Sequence, residues 1–173
     1  EKRPQRFPMF PKELNCMAIR NIRKDGDEIL RKRSREVDQI TPKIRMLLKD
    51  MVDTLYKADG AGLAAPQVGV LKRIILVDVG TGLYQLINPV LKSQSGEQCV
   101  NEGCLSVPGI WGEVKRPAQV VVEALDPDGE KIVVEGEGLL AQALCHEIDH
   151  LDGILFKDKV IRFLDQDEIN GAR

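Results

Sequence analysis

Between residues 73 and 135 the chain reads as a succession of sheet strands, and the helical patterns lie on either side of it. Arg73–Val79, Tyr84–Asn88, Val90–Ser95, Gly112–Val114 and Gln119–Leu125 are short runs rich in Val, Ile and Leu, bounded by turn residues. Asp126-Pro127-Asp128-Gly129 is a strong turn, and it predicts an antiparallel hairpin between the last of these runs and Lys131–Glu135. Before the strands, Thr41-Pro42 opens a helix, Thr as its cap and Pro in its first turn, where a missing N–H costs nothing. Ile44, Leu47, Leu48, Met51 and Leu55 follow at helical spacing, and Gly60 stops the helix. After the strands a second helix is predicted from about Leu139 to Asp152, apolar along Leu140, Leu144, Ile148 and Leu151, and ended by Gly153. Strands grouped between two helices predict an α+β fold with mainly antiparallel pairing, not an alternating parallel sheet.

The second helix carries His146-Glu147-Ile148-Asp149-His150, an HExxH pattern. Residues four apart share one face of a helix, so both imidazoles can reach a single ion. They are the chain's 2 histidines. The fold is therefore expected to pack its strands around a central metal-binding helix. A catalytic ion takes three protein ligands and keeps one open position, so a third ligand is needed. A metzincin would supply a later histidine, but Phe156 stands at that place; a thermolysin-like enzyme would use a later glutamate, and Glu168 lies close to the chain's end. Cys104 fits better. It lies in Glu102-Gly103-Cys104-Leu105-Ser106, read here as a polar turn between strands from which a thiolate can project. Cys145 points about 100° away from His146 around the helix and packs as a small hydrophobe. Glu168 and Glu102 remain the alternatives to Cys104. One thiolate and two imidazoles suit zinc. Such an ion brings the pKa of water to about 7, and Glu147, beside a ligand but not itself one, is placed to take that water's proton. Two rival readings stay open: a zincin-type peptidase with a carboxylate ligand, and a structural zinc site with a fourth protein ligand.

The remaining composition narrows the setting. The formal net charge is −2, and the nearest thing to a basic stripe, Arg31, Lys32, Arg33 and Arg35, reads as a solvated face. Sequence-specific nucleic-acid binding is not expected. Ile74-Ile75-Leu76-Val77 is strand-sized, far short of a membrane span. The 4 cysteines form no CxxC pair, which favours a reducing compartment. Residues 1–16, rich in Pro and basic side chains, read as an extension before a start at Met17, with 17–173 as one catalytic domain.

Three segments together resemble the motifs of the peptide deformylase family: Gly60-Ala61-Gly62-Leu63-Ala64-Ala65-Pro66-Gln67, Glu102-Gly103-Cys104-Leu105-Ser106, and His146-Glu147-Ile148-Asp149-His150. The first also fits a loose dinucleotide fingerprint, but it follows a helix and leads to a strand, the reverse of what that motif requires. The resemblance implies a cytoplasmic, bacterial-type hydrolase, with an organelle also compatible. Its substrates would be N-formylmethionyl nascent peptides, met during transient contact with the ribosome, and its product formate. It implies one divalent ion on Cys104, His146 and His150, Fe²⁺ by family habit, with Zn²⁺, Ni²⁺ or Co²⁺ able to replace it. Glu147 would be the general base, and the Gln67 amide with the Leu105 N–H would receive the oxyanion. Gly60, Ala61, Gly62, Gly103, Leu139, Gln142 and Ala143 would line the peptide groove and methionine pocket. Glu102, Arg116 and Asp149 would orient the ligands. Trp111 stands where some family members present an arginine.

Overall fold

The computed structural model describes residues 18–171, so the expected extension and the expected start at Met17 lie outside the described residues. In chain order the helices are α1 (Pro42–Lys57), α2 (Leu139–Leu151) and α3 (Gln166–Gly171). The strands are β1 (Gly62–Ala64), β2 (Ile74–Val77), β3 (Tyr84–Ser95), β4 (Gln98–Cys104), β5 (Val107–Arg116), β6 (Gln119–Leu125), β7 (Lys131–Glu137) and β8 (Val160–Phe163). They form two sheets, β1-β2-β3-β6-β7 and β4-β5-β8, with antiparallel pairing throughout.

The five-stranded sheet is covered on both faces. α2 lays Ala141, Leu144 and Leu151 against Ile75, Val77, Leu86, Val120 and Val122. α1 lays Leu47, Leu48, Met51 and Leu55 against Ile74, Leu76 and Ile87. β2 is therefore buried on both faces, which is why its four residues are all apolar instead of alternating. Each such side chain contributes about 1.5–3 kcal/mol by leaving water. α1 starts where Thr41 accepts a hydrogen bond from the Ile44 N–H, and the 126–129 turn closes the β6–β7 hairpin. Gly153 follows α2 at φ 76, with the Arg31 carbonyl so near that an added Cβ would lie 2.4 Å from its oxygen.

Several strands exceed the sequence expectation. β3 is continuous across Pro89, because a register shift between Ile87 and Val90 places the proline where the ladder needs no N–H. β4, β1, β8 and α3 carry no strong periodic pattern; their pairing partners or flanking contacts define them. Cys104 is not in a loop. It is the last residue of β4, paired with Val107 of β5, and the turn is Leu105–Ser106.

Candidate active site

α2 presents His146, Glu147 and His150, all buried, towards the end of β4. Glu102, on β4, accepts from His146 Nδ1 at 2.9 Å and holds Arg116 in a two-point ion pair at 2.6 and 2.9 Å. Arg116 also donates to Asp149 at 2.6 Å, and Lys159 reaches the same carboxylate. Burial works against the Glu102 carboxylate, but the bonds from His146 and Arg116 outweigh it and hold its pKa at about 2. Glu102 therefore stays ionised and fixes which nitrogen of His146 faces the site. With Nδ1 engaged, Nε2 is the nitrogen left to bind an ion.

Cys104 Sγ lies 3.3 Å from His150 Nε2, and ligand atoms of Cys104, His146 and His150 all fall within 4.8 Å of one another. His150 is held below the usual histidine range by burial first and by the charge of His146 second, so it is neutral at neutral pH, the form that ligates. Its Nδ1 finds no partner among the described residues. The donor set fits a divalent ion: one sulfur, two imidazoles and no carboxylate. The two alternatives for the third ligand are engaged elsewhere, Glu102 as above and Glu168 with Arg162 at the surface.

Glu147 lies beside this group with its Oε2 buried and unpartnered among the described residues. Burial is the main cause that pushes its carboxyl up to about 7, with His146 opposing and Glu102 adding to the rise. A carboxyl near neutrality can both take and return a proton. Gly62 of β1 gives it room, since a Cβ there would lie 2.3 Å from Glu147 Oε1. Gln67 is oriented through both ends of its amide. Its Oε1 accepts from the Ala64 N–H at 2.8 Å, and its Nε2 donates to Ser106 Oγ at 3.0 Å, 3.6 Å from Cys104 Sγ. Ser106 was visible in the motif, but nothing in the sequence told that it orients Gln67.

A cleft of about 620 Å³ opens over these groups. One wall is Gly60, Ala61 and Gly62; Gly103 and Trp111 face it, and Leu139, Gln142 and Ala143 of α2 border it. β1 is an edge strand. Because the Asp78 N–H bonds the Ala61 carbonyl, the alternation of an antiparallel pair turns the N–H and C=O of Gly62 away from β2. β4 is the edge of the other sheet, so an extended peptide can lie between two unpaired edges. Among the described residues, Cys104, His146, Glu147, Gln67, Leu105 and the groove residues expected from the sequence line one cleft, and His150 converges with Cys104 and His146 beside it.

The sequence pattern of the family described as polypeptide deformylase matches residues 19–165. The chain belongs to the polypeptide deformylase family. The peptide deformylase of Acetivibrio thermocellus is 67% identical over 157 residues, 91% of this chain and 92% of that one. That of Caldanaerobacter subterraneus is 56% identical over 157 residues, covering 91% and 99%. Among solved structures, the peptide deformylase of Thermotoga maritima superposes with a TM-score of 0.80 at 38% identity, over 82% of this chain and 97% of that one. The Ehrlichia chaffeensis deformylase in complex with actinonin gives 0.81 at 36% identity, over 90% and 94%. These deformylases share the mixed architecture of helices and antiparallel sheet.

Proposed function

We propose that this chain removes the N-formyl group from the initiator methionine of new polypeptides, using one divalent ion held by Cys104, His146 and His150. The observation that carries the reading is the buried, unpartnered Glu147 carboxyl, with a pKa near 7, beside three converging ligand atoms. Held by Cys104, His146 and His150, the ion would lower the pKa of water enough to supply a nucleophile at neutral pH. Glu147 takes a proton from the attacking water. As the new C–O bond forms, negative charge on the formyl oxygen is met by the Gln67 amide and the Leu105 N–H. Glu147 then returns its proton to the methionine nitrogen while the C–N bond breaks, leaving formate and a free amine. Glu102, Arg116 and Asp149 hold His146 in register throughout.

The peptide lies against Gly62 as an added strand, with the methionine side chain among Ala61, Gly103, Leu139, Gln142 and Ala143. Fe²⁺ is the ion we assign from family membership, and Zn²⁺, Ni²⁺ or Co²⁺ can take its place because the donor set is not selective for iron. In this reading α2 is the central metal-binding helix of one catalytic domain, residues 17–173. The chain works in the cytoplasm, in transient contact with ribosomes. No described helix is long and apolar enough to cross a membrane. The decisive assay is formate release from formyl-Met-Ala-Ser, with acetyl-Met-Ala-Ser and the unblocked peptide as controls. Formate from the first substrate alone supports the proposal, and cleavage of internal peptide bonds without formate overturns it in favour of a peptidase.

A further inference from the structure

The Leu105–Ser106 turn closes its hairpin without the residues such turns favour. Cys104 pairs directly with Val107, so two residues close the β4–β5 hairpin. Two-residue hairpins favour primed turns, which need a positive φ and hence Gly or Asn. Leu105 and Ser106 are neither, and neither has a positive φ. A two-residue turn closed at negative φ does not match the twist of its strands, and here a neighbouring segment bonds to it. The holding segment is Arg23–Asp25. The Asp25 N–H donates to the Ser106 carbonyl at 2.8 Å, and the Arg23 N–H donates to the Gln67 carbonyl at 2.7 Å. Between them, Lys24 Nζ donates to the Leu105 carbonyl at 2.7 Å. Lys24 is also the one lysine or arginine among the described residues lining the cleft, which holds the carboxyl groups of Glu102, Glu147 and Asp59 as well.

We propose that Lys24 is a positioning residue for deformylation: its ammonium fixes the Leu105 carbonyl and so keeps the N–H of the same residue aimed at the formyl oxygen. This rests on the function proposed above. The bond is made to a residue that itself touches the reacting group, and Lys24 is exposed, so its loss leaves the core and the ligands intact. A misaimed donor weakens binding of the developing charge more than binding of the substrate, so the effect belongs in kcat and not in KM.

The test uses the zinc-loaded full chain and its Lys24→Met and Lys24→Arg variants, with Lys92→Met as a control remote from the cleft. Formyl-Met-Ala-Ser kinetics, metal content, Tm and the ¹⁵N-resolved Leu105 amide resonance are measured. Lys24→Met should lower kcat about three- to tenfold, the scale of one ordinary hydrogen bond, since solvent weakens the exposed ammonium's charge, with KM within about twofold. The Leu105 resonance should move, Lys24→Arg should recover most of the turnover, and metal content and Tm should hold. Unchanged kcat and an unmoved resonance overturn the proposal. So does a rise in KM alone, which would make Lys24 a substrate contact, or a loss that tracks metal or Tm. A wild-type protein that binds zinc but releases no formate would refute the function instead, and the Leu105 resonance would still decide whether Lys24 tethers the turn.

Discussion

Glu102 should stabilise the fold in a way that acid removes. Its side chain is 2% exposed, bonded to His146 and Arg116, and its carboxyl sits at about 2 where 4.5 is ordinary. A group whose folded pKa is depressed contributes stability above its unfolded pKa and loses it as the pH falls through the folded one. The difference of about 2.5 pH units, at about 1.36 kcal/mol each, makes that contribution about 3 kcal/mol. It is complete above roughly pH 5 and lost towards pH 2. His146 does not disturb this window. Burial alone would lower its pKa, but the sulfur of Cys104 and the Glu102 carboxylate raise it well above the usual value, so it is protonated below pH 5 in both states. Urea unfolding of the chelator-treated protein between pH 2 and 7, beside Glu102→Gln, isolates the effect from other carboxylates. The stability gap between wild type and variant should narrow by about 3 kcal/mol as the pH falls from 5 to 2. A gap that stays constant across that range would refute the reasoning.

Glu147→Gln should keep its metal and its peptide affinity while kcat falls by about 10²–10⁴, since Gln cannot carry the proton; near wild-type turnover would remove Glu147 from the mechanism. Cys104→Ala should lose most bound metal by elemental analysis, whereas Cys99→Ala and Cys145→Ala should retain it, because Cys99 is exposed and Cys145 packs from α2 into the core. Gly62→Ala should cost at least about tenfold in kcat/KM with little change in Tm, because its methyl occupies the space of a movable carboxylate arm. Full activity in that variant would mean Glu147 does not act from the observed position.

The parts of the fold legible in the sequence were those whose stability is local. Thr41-Pro42 set the start of α1, and the 126–129 turn set the β6–β7 hairpin, because capping and turn chemistry are written in adjacent residues. β4 was not legible. Gln98–Cys104 is polar and only its pairing with β5 makes it a strand, so Cys104 read as a loop residue. β1 is three residues long, too short to show a period. At the site, the two histidines and Glu147 followed from helical spacing and Cys104 from the chemistry the ion requires. Gln67 and Leu105 came from family resemblance alone. The bracing of Leu105 by Lys24 left no trace, because a contact between residues 81 positions apart has no local signature.

The close approach of Gly62 and Glu147 sets an order in which this sequence can change. While Glu147 keeps its place, every side chain at 62 collides with it, and the glycine is the sole occupant the geometry admits. If Glu147 were shortened first, the space beside β1 would open and position 62 could drift to larger residues. The path back would then be shut, because restoring the glutamate into a filled space would meet the same collision from the other side. A lineage that lost its proton carrier in this way could regain it only by reverting both positions together. The few ångströms between one backbone carbon and one carboxylate thus act as a ratchet on descent, as well as a fit between atoms.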